Sequence, residues 1–215
     1  MDFFEKLKQK FFPEKVELAK IILENTLIIG NNDATQTVLF FNIIKKILQN
    51  NKNILIINGL EKEQEHINEV FTKIFKEFKN DKSIIISGKY ISVQLNNLKD
   101  YYLFIIGYKK EIVSNKLIYR FLKNNKLFLH LNKIEALNNS NIDIKFFNSI
   151  YFGFYDFDKD KQKKLKEIEQ LKDLLLIEEN KIININENQT GEIICVNKER
   201  KINKKVRIPY YELYY

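Results

Sequence analysis

The residues Gly30–Thr37, GNNDATQT, have the spacing most suggestive of chemistry in this chain. They follow the apolar run Asn25-Thr-Leu-Ile-Ile29 and precede Val38-Leu-Phe-Phe-Asn-Ile-Ile-Lys-Lys-Ile-Leu48. A strand, a turn opening on glycine and then a helix is the setting of the phosphate-binding loop G-x-x-x-x-G-K-[ST]. In that loop the second glycine lets backbone N–H groups close around phosphate, the lysine supplies a point charge, and the Ser/Thr hydroxyl holds magnesium. Gly30 and Thr37 fit the two ends, but Thr35 stands where the second glycine belongs and Gln36 where the lysine belongs, and Asp33 adds an anion to the cradle. Gly30, Thr35, Gln36 and Thr37 therefore mark a loop expected to bind neither ATP nor magnesium, and no cofactor is expected. An ordinary strand-to-helix turn with Gly30 as its terminator is the other reading of the same eight residues.

The remaining candidates are fewer. His130 lies in the middle of an apolar strand pattern, where a histidine satisfied within the core is expected rather than a catalytic base. Asp156, Asp158 and Asp160 alternate as a loop metal site does, yet the glycine and distant glutamate of a calcium loop are missing, and acids before a basic helix fit its N-terminus. With one cysteine, Cys195, and two histidines, His66 and His130, the chain has no means for an internal disulfide, a thiolate metal cluster or a histidine-rich zinc site. The dense lysines at 159, 161, 163, 164 and 166 read either as a solvated helix face or, with Lys201, Lys204, Lys205 and Arg207, as a phosphate-contacting surface. Lys163, Lys164, Lys204, Lys205 and Arg207 are its expected nucleic-acid contacts. Tyr210, Tyr211, Tyr214 and Tyr215 stack on bases, pack on a partner or pack on the protein itself.

Positioning these residues requires alternating elements. Strand signals fall at 25–29, 54–58, 84–87, 102–106, 126–131 and 150–154, with helix signals at 34–49, 61–78, 110–123 and 158–172, a succession that predicts βαβ units around a mostly parallel sheet. In the second helix Ile67, Val70, Phe71, Ile74, Phe75 and Phe78 recur at helical spacing and predict one buried stripe. From residue 173 the pattern shortens to runs at 174–177, 181–185, 192–196 and 201–208, read as small strands at hairpin spacing. The expected division is a core over 1–172 and a C-terminal β-hairpin appendage over 173–215.

At 215 residues, 45% apolar and 13% aromatic, the chain has material for one sizeable core. No apolar run approaches ~18 residues, so a cytoplasmic protein without an integral membrane segment is expected. The net charge of +8 suggests an anionic partner, DNA or another polyanion. Arginine, however, occurs only at 120, 200 and 207 beside abundant Lys, Asn and Ile, a bias that AT-rich coding DNA also produces.

From residue 25 onward these pieces resemble, in order, the motor domain of the TraD-like conjugative coupling proteins of type IV secretion and their HerA/FtsK relatives. Asn58-Gly-Leu-Glu-Lys62 sits at that family's second-strand Asp-Gly-Lys-Gly-Asp element, with Asn for the first Asp. Tyr102-Leu-Phe-Ile-Ile106 resembles its Walker B strand but runs into Gly107-Tyr-Lys-Lys110, with no carboxylate before Glu111. Asn132 stands at the position of the glutamine that senses the γ-phosphate. Ser149–Phe154, Gly191–Val196 and Lys205–Glu212 resemble the late strand, terminal hairpin and V-R-x-P-Y ending. The resemblance implies a three-layer RecA-like P-loop fold with the loop at the carboxyl edge beside strand 102–106. Because the charged residues are replaced, it also implies a pseudo-ATPase: a scaffold or a DNA- or partner-binding subunit of a DNA-handling or secretion assembly, monomeric or a small oligomer in isolation. The competing class is a nucleic-acid-binding or protein-interaction α/β module with no ATPase ancestry.

Overall fold

The computed structural model describes residues 23–31, 34–60, 64–87, 98, 100–109, 115–124, 126–138, 142–188, 192–197 and 202–207. Eight strands form one sheet: β1 (Thr26–Ile29), β2 (Asn53–Asn58), β3 (Ile84–Ser87), β4 (Tyr101–Ile106), β5 (Leu127–Leu131), β6 (Ser149–Phe152), β7 (Glu192–Asn197) and β8 (Ile202–Arg207). Their order is β3-β2-β4-β5-β1-β6-β7-β8, parallel from β3 to β6 and antiparallel at the β6/β7 and β7/β8 pairs. Strands covered on both faces need apolar side chains at every position, which is why β1, β2, β4 and β5 read as continuous runs rather than as alternations.

Helices cover both faces. On one face, α1 (Ala34–Gln49) and α2 (Gln64–Glu77) pack against Ile28, Ile54, Ile56 and Phe104. On the other, α3 (Asn115–Leu122), α4 (Glu135–Asn138), α5 (Lys161–Leu175) and α6 (Glu179–Asn188) pack against Leu27, Ile29, Leu55, Ile57 and Leu129. The alternation Leu27/Ile28/Ile29 between the two cores is the period-two rule of a strand. In α2, Ile67, Phe71, Ile74 and Phe75 are buried as the stripe predicts, with Val70 and Phe78 half-buried against the same core.

Two elements depart from the sequence reading. Residues 174–175 close α5 and 181–185 lie within α6, where strands were expected. Short apolar runs do not distinguish a strand from a buried helix segment. Here Ile168, Leu171, Leu174 and Leu175 form one buried helical stripe, Leu176 ends it in the left-handed conformation (φ 54), and Ile182 and Ile185 are buried one turn apart. The hairpin β7–β8 is present, and it continues the main sheet by pairing Ser149–Phe152 of β6 with Ile194–Asn197 of β7.

Candidate functional site at the carboxyl edge of the sheet

The carboxyl ends of the parallel strands gather the candidate residues. Gly30 follows β1 with φ 138, a conformation that favours glycine. A Cβ there would lie 2.1 Å from Gln36 Nε2 and 2.5 Å from the Phe154 carbonyl oxygen. Glycine is required because the side chain of Gln36 closes over it: fully buried, Gln36 donates from Nε2 to the Ile29 carbonyl at 3.1 Å, and it also crowds Gly153 at the end of β6. The residue at the lysine position of a phosphate loop thus points into the protein and caps its own strand. A neutral amide suits that place, since burying an ammonium without a charged partner is costly. Thr35 is buried and Thr37 half-buried. Residues 32 and 33, and with them Asp33, lie outside the described residues.

The strand expected to carry the Walker B acid ends without a carboxylate. β4 ends at Ile106, Gly107 turns with φ 64, and Tyr108 is buried in the core, its N–H donating to the His130 carbonyl at 2.9 Å. The loop does not lie beside this strand as expected, because β5 intervenes between β1 and β4. What joins them across β5 is His130. Fully buried, it accepts at Nδ1 from the Gly107 N–H (3.0 Å), which leaves Nε2 to donate to the Gly30 carbonyl (2.9 Å), and Phe40 packs edge-on at 4.9 Å. Burial lowers its pKa to about 4, partly opposed by the bond to Gly30, so the ring is neutral near pH 7. This is the satisfied core histidine expected from the strand pattern.

Asn58 ends β2 and is fully buried. Its Nδ2 donates to Asn68 Oδ1 at 2.9 Å, its Oδ1 accepts from the Leu60 N–H at 3.1 Å, and its carbonyl accepts from Gln64. All three contacts brace the turn into α2. Asn132, at the sensor position, is exposed just past β5.

A polar joint beside the loop went unread in the sequence. Asn31 donates its N–H to the Phe154 carbonyl at 2.7 Å and accepts at Oδ1 from the Asp156 N–H at 3.3 Å. Lys133 donates to the Asp156 carbonyl, lies 5.0 Å over the Tyr155 ring and pairs with Glu167 at 3.8 Å. Glu167, only 3% exposed, also accepts from the Tyr155 hydroxyl (2.8 Å) and the Asp158 N–H (2.9 Å). Burial, before the neighbouring carboxylate, pushes the Tyr155 phenol up and keeps it a donor. The available signal was an acid on the apolar stripe of α5, next to Ile168 and one turn from Leu171. The neighbouring aspartates act as caps: Asp160 accepts from the N–H groups of Gln162 and Lys163, and Asp158 from that of Asp160.

Of the expected nucleic-acid contacts, Lys163 and Lys164 are exposed at the start of α5, where Lys163 pairs with Asp158 at 3.8 Å and Lys164 lies 5.6 Å over Phe157. Lys205, on β8, pairs with Glu192. The side chains of Lys204 and Arg207 lie outside the described residues, as do residues 208–215 with the four terminal tyrosines. Asn203 Nδ2 donates to the carbonyls of Leu175 and Leu176 at 3.1 Å each, tying the start of β8 to the end of α5.

The chain is an α/β fold with helices on both faces of a mostly parallel sheet and a glycine turn entering a helix at its carboxyl edge. No protein-family model matches the chain, and no curated protein matches it by sequence. Among solved structures it is similar to B204, the DNA-packaging ATPase from Sulfolobus Turreted Icosahedral Virus, with a TM-score of 0.53 at 9% identity over 87% of this chain and 98% of that one. The genome packaging NTPase B204 of Sulfolobus turreted icosahedral virus 2, in complex with AMPPCP, gives 0.53 at 10% identity over 87% and 98%. The same NTPase in complex with AMP gives 0.52 at 11% identity over 86% and 98%. At such identities the likeness is one of fold. No helix among the described residues is long and apolar enough to cross a membrane.

Proposed function

We propose that this chain is a pseudo-ATPase: a P-loop NTPase-like protein that serves a DNA-handling assembly as a scaffold or a DNA- or partner-binding subunit, without hydrolysing ATP. The observation that carries the non-hydrolysing part is Gln36, buried and bonded to the carbonyl of its own strand where a phosphate loop presents its lysine. Phosphoryl transfer depends on positioning and on charge stabilisation. The residues at this edge fit neither nucleotide nor magnesium: Gln36 carries no charge, Thr35 is a buried β-branched residue where the loop needs a glycine, and Tyr108 is packed in the core after the strand that should end in an acid. The similarity to packaging NTPases supports the DNA-handling part. The finer reading, a cytoplasmic subunit of a type IV secretion or conjugation assembly, draws on the coupling-protein resemblance of the sequence.

A phosphate-release assay tests the claim, with no magnesium-dependent ATP turnover above background expected from the unmodified protein. Restoring glycine at 35 and lysine at 36 is expected to recover some phosphate affinity without turnover, because the acid after β4 is still missing. Turnover by the unmodified protein that is lost in Thr37→Ala would refute the proposal. With three arginines in the chain and no nucleotide expected in the loop for a neighbouring subunit's arginine to complete, the protein is expected to be a monomer or small oligomer alone. Light scattering that finds a stable hexamer without DNA or nucleotide would contradict this.

A further inference from the structure

Residues 161–166 of α5 are exposed at every position, as is Lys159 before them, and burial begins only at Glu167 and Ile168. The first turn and a half of the helix is therefore exposed to solvent on every side. Even Lys164, on the same helical side as Ile168 and Leu171, reaches solvent. The first turn contains no acid, and its lysines run against the helix macrodipole, so helix stability does not account for them. Lys163 is answered by Asp158. Among the described residues no carboxylate pairs with Lys159, Lys161, Lys164 or Lys166. Lys205, on the adjoining strand, is by contrast already paired with Glu192.

Lys161 to Lys166 span about 7.5 Å of helix axis. Along that length a DNA duplex presents about four phosphate charges, one for each ~1.7 Å of its axis. We infer that the exposed turn of α5, Lys159 to Lys166, is the surface through which this protein holds duplex DNA, by phosphate contacts and without reading sequence. The inference rests on the DNA-handling half of the proposed function and is independent of the state of the loop.

The test is fluorescence anisotropy of the full chain on a random-sequence DNA duplex, comparing two charge reversals of equal net charge. One carries Lys161→Glu, Lys163→Glu, Lys164→Glu and Lys166→Glu; the other carries Lys52→Glu, Lys73→Glu, Lys76→Glu and Lys82→Glu, all exposed and away from α5. The lysines are spread around the helix, so about two or three face one duplex, and the unmodified protein should lose about ten- to fortyfold in affinity between 50 and 200 mM salt. The α5 variant should lose at least tenfold in affinity together with most of its salt dependence, while the second variant keeps most of both. Circular dichroism confirms that both variants are folded. Equal losses in the two variants would show attraction to net charge alone and overturn the assignment. So would an absence of DNA binding at low salt, including the case in which phosphatidylserine vesicles bind instead. The ATP assay does not depend on any of these outcomes, so the two claims fail separately.

Discussion

Gln36 and His130 show how far a residue's role departs from what its position suggests. Gln36 stands where the loop spacing would place a lysine, yet in the structure it closes β1; no local signal separates an amide that turns inward from one that faces a ligand. His130 was legible as a core residue from the apolar strand around it, but not as the link between two glycine turns, because Gly107 and Gly30 are 23 and 100 residues away in sequence. That bridge is pH-sensitive. Its folded pKa of about 4 lies below the unfolded value of 6.5, so the unfolded chain binds the extra proton first. Stability is fully present above pH 6.5 and declines as the pH falls toward 4. At pH 5 the loss from this one group is about 2 kcal/mol. Chemical denaturation of the unmodified protein and His130→Gln should therefore show a stability gap at neutral pH that narrows below pH 6. A gap independent of pH would mean that the histidine is not buried as a neutral bridge.

Among the elements, those of the parallel sheet were legible because strands buried on both faces leave uninterrupted apolar runs with amphipathic helices between them. The segment after 173 was not, because Leu174-Leu-Leu-Ile177 serves a helix end as well as a strand, and because the pairing of β7 with β6 is set by packing rather than by local pattern. The joint that holds α5 to β5 and β6 converges on Glu167. Glu167→Ala would remove the carboxylate acceptor of the Tyr155 hydroxyl and the Asp158 N–H and the carboxylate beside Lys133. The expected cost is about 2–3 kcal/mol in denaturant unfolding. Glu167→Gln, which keeps a carbonyl acceptor, should cost about half as much. A loss within ~0.5 kcal/mol for the alanine variant, the range of an ordinary surface change, would contradict this reading of the joint.

The molecule as a whole presents one edge, at the carboxyl ends of β1, β4, β5 and β6, where the Gly30 turn, His130 and Gln36 are tied together by internal hydrogen bonds. The polar joint running from Asn31 through Asp156 and Lys133 to Glu167 connects that edge to the exposed turn of α5. The overall charge of +8 was visible in the sequence, but AT-rich coding produces the same abundance of lysines; only the fold distinguishes Lys163 and Lys205, which have acidic partners, from Lys161, Lys164 and Lys166, which are exposed without a carboxylate partner among the described residues. The central claim is that the loop no longer takes nucleotide, and thermal unfolding with and without millimolar ATP and magnesium tests it most directly. A ligand at ~100 times its dissociation constant stabilises a fold by about 2.7 kcal/mol, enough to raise the melting temperature of a chain of this size by about 5–10 °C. No shift is the predicted result. A reproducible upward shift that disappears in Thr37→Ala would show that the loop still binds nucleotide and that the account of Gln36 is wrong.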